Sequence, residues 1–335
     1  MTTPGKKILV TGAAGFIGFH VAKRLLEQNY TVIGLDNLNP YYSVDLKKNR
    51  LKQLEAHPNF RFYLEDIAHI DAVERVWQQE QPITHVIHLA AQAGVRYSLI
   101  DPYSYIHSNV TGFTVILEQC RYQPGFEHLV YASTSSVYGL NQCLPFSEDQ
   151  RVDHPASLYA ATKRANELMA QSYHHLYHLP VTGLRMFTVY GPWGRPDMSL
   201  FKFTKAILAG ETIDVYNHGQ MSRDYSYIDD IVEGILAALW HPPTSDALDH
   251  PIYNLGNHQK QDLSNFIEVL EDILGKKAHK NFLPLQAGDI VETLSDIQKA
   301  QTILGYQPKT NIQQGISKFI AWYKAYFLES TGQDT

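Results

Sequence analysis

The chain has 335 residues, 44% of them apolar, and a formal net charge of −6; that is room for one large domain or two packed ones with a sizeable core. The charge balance carries no basic stripe, which argues against nucleic acid as a partner, and no apolar run approaches the roughly 20 residues needed to span a bilayer. Two cysteines, Cys120 and Cys143, cannot build a disulfide framework, and the opening "MTTPGKKILVTG" reads as neither signal nor transit peptide, so a reducing, cytoplasmic setting is expected.

Lys7–Thr11 is an apolar strand, and "ILVTGAAGFIGFHVAKRLL" leads from it through a glycine-rich turn into a helix over 15–28. Gly12, Gly15 and Gly18 let the backbone turn tightly, approach a pyrophosphate and pack the helix on a sheet. The helix N-terminus, at Phe16 and Ile17, offers oriented N–H donors to the same anion. The next strand, 31–35 in "TVIGLD", delivers Asp36 and Asn37 at its end. A carboxylate there accepts both hydroxyls of an adenosine ribose and repels a 2′-phosphate, which favours NAD over NADP. The glycine spacing is one residue longer than G-x-G-x-x-G, a form typical of short-chain dehydrogenase/reductases.

Strand-like runs follow at Phe60–Leu64, 85–89, 128–132 and Val181–Met186, with helical stretches at 101–122 and 157–178. This alternation is the rhythm of an α/β fold, a Rossmann-type parallel sheet with helices on both faces. The run at 128–132 empties into "YASTSSVYG", which places Thr134, Ser135 and Ser136 where strand ends of a parallel sheet face a ligand. In "SLYAATKRANELMA", Tyr159 and Lys163 are four apart and share one helix face. A tyrosine acting as a base near pH 7 needs about 4 kcal/mol of phenolate stabilisation, and an ammonium about 4 Å away contributes about that much at an effective dielectric of 20.

Beyond Phe187 the elements shorten and Gly and Pro become frequent, so residues 1–186 read as the cofactor domain and 187–330 as a smaller C-terminal α/β substrate lobe. A helix at 229–239 and a strand at Ile252–Leu255 make 225–258 a candidate to return to the main sheet. Arg96 in "AGVRYS" and Arg223 in "SRDYSY" are candidates for a substrate pyrophosphate, because guanidinium matches phosphate geometry and no basic field exists elsewhere. Sixteen histidines supply no metal-ligand spacing. His174 and His178 in "HHLYH" read as solvated helix positions, His88 as a packed strand-end residue, and "STGQDT" as a frayed tail.

Over nearly its whole length the chain resembles extended short-chain dehydrogenase/reductases acting on nucleotide sugars. More narrowly it resembles UDP-glucuronate 4-epimerases, through "TGAAGFIG", "DNLNPYYSVDLK", "HLAAQAGVRYS", "YASTSSVYG", "YAATKRANELMA", "TVYGPWGRPDM" and "DVYNHGQMSRDYSYIDDI". The resemblance implies tightly bound NAD, a UDP-sugar substrate and a catalytic set falling on Thr134, Tyr159 and Lys163. It puts Asp66 and Ile67 beside adenine, and Ala90, Gln92 and Asn109 around the cofactor. It also implies a homodimer joined through 101–122 and 157–178 in a four-helix arrangement.

Related dehydratases carry an Asp-Glu pair after the catalytic Thr, and UDP-glucuronate decarboxylases a Glu at the position of Ser136. Two serines here leave oxidation followed by reduction, which is epimerisation. Oxidising carbon 4 of a glucuronate gives a β-keto acid, which loses carbon dioxide when its carboxylate bond stands perpendicular to the carbonyl plane. Ser135 and Ser136 can hold the carboxylate by hydrogen bonds, and the resemblance adds Thr188 and Arg195. Galactose-type epimerases carry Asn at Thr188, and often an Arg ahead of the Gly-Asp of "LQAGDIVET", where this chain has Gln286. The competing expectations are a neutral UDP-hexose 4-epimerase, and a non-catalytic NAD-binding scaffold or sensor of the same fold.

Overall fold

The structure, a computed structural model, describes residues 6–329 except 245, 246 and 287; the tail "STGQDT" lies outside the described residues. Six strands in the first half, β1 (Lys7–Thr11), β2 (Thr31–Asp36), β3 (Phe60–Leu64), β4 (His85–His88), β5 (His128–Thr134) and β6 (Val181–Met186), alternate with helices α1 (Phe16–Glu27), α2 (Val44–Glu55), α3 (Ile70–Glu80), α4 (Pro102–Tyr105), α5 (Gly112–Tyr122) and α6 (Leu158–Tyr177). The rest comprises β7 (Thr188–Tyr190), α7 (Ser199–Ala209), β8 (Thr212–Val215), β9 (Ser222–Tyr227), α8 (Ile228–Leu239), β10 (Ile252–Leu255), β11 (Lys260–Asp262), α9 (Leu263–Leu274), β12 (His279–Phe282), α10 (Gln298–Leu304) and α11 (Ile312–Lys324).

The main sheet has the order β10-β6-β5-β4-β1-β2-β3, every pair parallel. Such a sheet buries both faces, and the strands show it residue by residue. Ile8, Val10, Val32, Ile87 and Val130 join one core, with α1 and α8; Leu9, Ile33, Leu35, Val86, Leu129 and Val181 join the other, with α3, α5 and α6. Each such side chain contributes about 1.5–3 kcal/mol on burial, so a shift of one residue in register would exchange the two sets. The first core continues through Phe201, Tyr225, Phe266 and Phe319 into the C-terminal region, where β11-β9-β7 and β12-β8 form two small sheets. The direction of winding reverses between β1 and β4, and a crevice opens beyond the carboxyl ends of strands at such a point.

One element departs from its expected form. The helix expected over 101–122 is interrupted: Asp101 caps α4, a π-helical stretch follows over Ile106–Thr111, and α5 completes it. Inside the widened stretch the buried Asn109 accepts from Gln92 N at 2.8 Å and donates to Gln92 O and Thr162 Oγ1 at 3.1 and 3.0 Å. These contacts to another loop and to α6 are invisible to a helical period read along the chain.

Candidate active site

A cleft of about 830 Å³ lies beyond the carboxyl ends of the strands and is closed on its far side by the small sheets. Every residue named from the sequence as a catalytic, cofactor-binding or substrate-binding candidate lines it, apart from Asp66 and Asn109. Its cofactor half is built by the glycine turn. Gly12 has φ +72°, and a Cβ there would lie 2.8 Å from Ala90 N; at Gly18 a Cβ would meet Gly12 O at 2.0 Å, so neither position admits a side chain. Gly15 is the N-cap of α1 and brings no side-chain acceptor, leaving the N–H groups at Phe16 and Ile17 open to an anion.

Asp36, at the tip of β2, accepts from Ala14 N at 3.1 Å and Leu38 N at 2.8 Å. Burial pushes its carboxyl up, opposed by Lys47 and these two N–H groups. Thr11 Oγ1 accepts from Leu89 N and Ala90 N and pairs with His88 Nδ1 at 2.9 Å. Burial, with Lys163 adding to it, brings His88 down to about 3, so it packs as a neutral strand-end residue. Asp66 sits just behind the wall, held by Asn37 Nδ2 and Ala68 N, while its neighbour Ile67 lines the cleft. A glycine cradle without a cap, followed by a buried carboxylate, fits a dinucleotide without a 2′-phosphate.

At the reacting end, Thr134 is the last residue of β5, and Ser135 and Ser136 begin a tight turn. Ser136 N donates to Thr134 Oγ1 at 3.2 Å. Ser157 caps α6 by accepting from Ala160 N, which sets Tyr159 and Lys163 in the first two turns. Burial raises the Tyr159 phenol, and a hydrogen bond with Thr134 and the charge of Arg195 act to lower it. Lys163 is buried and donates to Asn166 Oδ1 at 3.3 Å; burial lowers it to about 8 against the pull of Glu167. Arg195 is thus a cation acting on the phenol, in addition to Lys163 one helical turn from Tyr159, which at about 8 still carries its charge at neutral pH.

Arg195 lines the same cleft as Thr188, Ser135 and Ser136. Its Nε and Nη2 pair with Asp197 at 2.9 and 2.5 Å, and Tyr41 donates to the same carboxylate at 3.1 Å. Also on the cleft wall, Arg96 pairs with Asp289 at 2.8 Å and stacks on Tyr216. Arg223 donates to the carbonyls of Ser222 and Val291, and burial lowers its guanidinium. Gln286 presents a buried Oε1 with no partner among the described residues.

The family model described as "NAD dependent epimerase/dehydratase family" matches residues 8–256. The chain belongs to that family. It is 46% identical to UDP-glucuronate 4-epimerase 2 of Arabidopsis thaliana over 98% of this chain and 78% of the relative. It is 50% identical to Protein CapI of Staphylococcus aureus over 96% and 99%. Among solved structures, the UDP-glucuronic acid 4-epimerase from Bacillus cereus in complex with UDP-glucuronic acid and NAD is 36% identical, with a TM-score of 0.89 and coverage of 96% of this chain and 100% of that one. NAD is the cofactor of the family, and the cradle described above fits it.

Several residues that shape the family's site here were not singled out beforehand. Tyr41 and Asp197 stand inside the stretches "DNLNPYYSVDLK" and "TVYGPWGRPDM", but only folding brings them together. Glu167 follows Lys163 by four on the Tyr159 face and pairs with Arg185 through both oxygens at 2.9 Å, also accepting from Ser133 Oγ at 2.6 Å. That periodic spacing is the signal that could have found it. His174 is a correction: it is buried, with Nδ1 and Nε2 at 3.0 Å from the carbonyls of Leu179 and Ala247. The chain turns left-handed at His178 and folds back over that ring, while His178 itself stays exposed.

Proposed function

We propose that this chain interconverts UDP-glucuronate and UDP-galacturonate by NAD-dependent epimerisation at carbon 4. The observation that carries this reading is a strand tip bearing three hydroxyls and no carboxylate, Thr134, Ser135 and Ser136, in one cleft with Tyr159, Lys163 and the guanidinium of Arg195. Tyr159, its phenolate stabilised by the Lys163 ammonium and the Arg195 guanidinium, takes the proton of the 4-hydroxyl, and Thr134 steadies the phenol oxygen. NAD supplies the hydride acceptor, and later the donor, at carbon 4. Ser135, Ser136, Thr188 and Arg195 hold the carboxylate in the plane of the transient ketone while the sugar turns its other face, and Tyr159 returns the proton. Arg96 and Arg223 take the pyrophosphate.

We divide the chain into a cofactor region, 1–186 with 225–258, and a UDP-sugar region over the rest of 187–330. Outward-facing Ile100 and Tyr103, 77% and 82% exposed, beside the exposed Leu168 and Leu176 of α6, support a homodimer through the segments 101–122 and 157–178. Cys120 is buried and Cys143 exposed, both free, which agrees with a cytoplasmic setting, where UDP-sugars are made for polysaccharide synthesis. Among the described residues no helix is long and apolar enough to cross a membrane.

The Arg195–Asp197 pair favours a second reading, since it leaves the carbon-6 end without net charge and would accept a neutral UDP-hexose. Assays with UDP-glucuronate, UDP-galacturonate and UDP-glucose side by side distinguish the two. Turnover of the uronates without added cofactor, and release of NAD on denaturation, are expected. Turnover of UDP-glucose alone overturns the first reading.

A further inference from the structure

The loop that leaves Asp36 runs along the cleft wall and brings Tyr41 to the far end, where its hydroxyl donates to Asp197 Oδ2. Asp197 accepts from both Nε and Nη2 of Arg195. One edge of the planar guanidinium is thereby fixed, and Nη1 remains as the nitrogen without a protein acceptor among the described residues. An arginine on its own stem samples many orientations; one locked through two parallel bonds presents its remaining N–H groups in a single direction.

The surroundings are shaped around this unit. Gly94, at φ +104°, leaves space that a Cβ would take from the Tyr41 hydroxyl, which would lie 2.9 Å away. Lys47 pins the loop by donating to Asn39 O at 2.7 Å. The segment before Arg195 is tied to the glycine turn by the buried Arg50, which donates to Trp193 O at 2.6 Å and Ala14 O at 2.8 Å. The unit also carries no net charge: burial works to raise the Asp197 carboxyl, but Arg195 and Tyr41 hold it below its ordinary value. Recognition of a carboxylate at carbon 6 then depends on where Nη1 points, more than on a charge excess.

We infer that Asp197, steadied by Tyr41, is a positioning residue that aims Arg195 at carbon 6 of the sugar, setting both the preference for a carboxylate there and its retention during turnover. The inference rests on the UDP-glucuronate reading above. A misaimed guanidinium still attracts the carboxylate but lets its bond rotate out of the ketone plane, the geometry in which a β-keto acid expels carbon dioxide. In that step the carbon–carboxylate bond breaks, its electron pair forms the enolate of the 4-keto sugar, and a proton from solvent completes a UDP-4-keto-pentose. The hydride stays on the cofactor.

The test compares the full-length parent, Asp197→Asn and Tyr41→Phe on UDP-glucuronate and UDP-glucose, with proton NMR of the products. Loss of one charge-assisted partner predicts that the preference for UDP-glucuronate falls about tenfold in Asp197→Asn, and by a smaller factor in Tyr41→Phe. The decarboxylated pentose should appear in both. The double variant should be no worse than Asp197→Asn, since both act through one guanidinium. Product ratios do not depend on how much protein folds, and Tyr41→Phe keeps the aromatic packing. Parent ratios in both single variants overturn the positioning role; a parent inactive on UDP-glucuronate overturns the substrate reading, and this inference with it.

Discussion

At the scale of single residues, the site places two ionisable groups where burial works against their charged forms. Tyr159 is held protonated by burial, with Thr134 and Arg195 opposing. Tyr159→Phe removes the proposed proton acceptor while keeping the ring, and we expect turnover to fall by more than the roughly 10²- to 10⁴-fold typical of acid–base groups, with NAD content unchanged; kinetics and the nucleotide released on denaturation check both. Lys163, 3% exposed, has a folded value of about 8 against 10.5 for the free side chain. Below pH 8 both folded and unfolded chains carry the charge, and its burial costs about 3 kcal/mol. Between about 8 and 10.5 the folded state sheds its proton first, so the unfolded chain binds more protons and stability rises with pH. Lys163→Met should therefore be inactive yet more stable at pH 7 by up to about 3 kcal/mol, less what Asn166 loses. That gain should shrink as pH rises through this window, as measured by denaturant unfolding.

At the scale of elements, α6 is the carrier of the site and is fastened from behind. Glu167 joins it to β6 through Arg185 and to β5 through Ser133, next to the Thr134 strand tip. All three are buried. Burial works to raise the Glu167 carboxyl, and Arg185 and Ser133 keep it low and ionised. Removing one member strands the other's charge, so Glu167→Gln should cost about 3–5 kcal/mol in equilibrium unfolding. The double replacement Glu167→Leu with Arg185→Met should cost less than the single one, because the one cation it leaves without its partner is Arg164, which donates to Glu167 at 3.0 Å but is partly exposed to water. Equal or greater loss in the double variant would show that the pair itself, and not the uncompensated charge, carries the stability.

For the whole molecule, the cleft exists because two regions share one core: the apolar face under α1 and α8 continues through Tyr225 and Phe319, fixing Arg195 and Arg223 opposite the strand ends. The opposite face of the sheet is covered by α3, α5 and α6, and on this side Ile100 just before α4, Tyr103 in α4 and Leu168 in α6 stay in contact with water. If a second copy covers these, as proposed, light scattering is expected to give a particle of about twice the 38.1 kDa chain mass. Tyr103→Glu, at an exposed position that does not line the cleft, should shift the particle toward the monomer.

The amino-acid sequence determined what depends on neighbours along the chain. Strand periods, the glycine cradle with its missing cap, the carboxylate one strand later, the Tyr159–Lys163 face and the hydroxyl strand tip all follow from backbone sterics and from spacings of two or four residues, which hold before any tertiary contact forms. Tertiary structure decided the rest, because the partners are distant in sequence. Asn109 opens a helix into a π-helical stretch for a loop seventeen residues away, and His174 is buried by a chain segment that returns 73 residues later. A second charge acting on the Tyr159 phenol comes from Arg195, outside the helix that bears the tyrosine, while Asp197 and Tyr41, 156 residues apart, determine where that charge points. Electrostatic and hydrogen-bond geometry is set by distances through space, and a sequence states only distances along the chain.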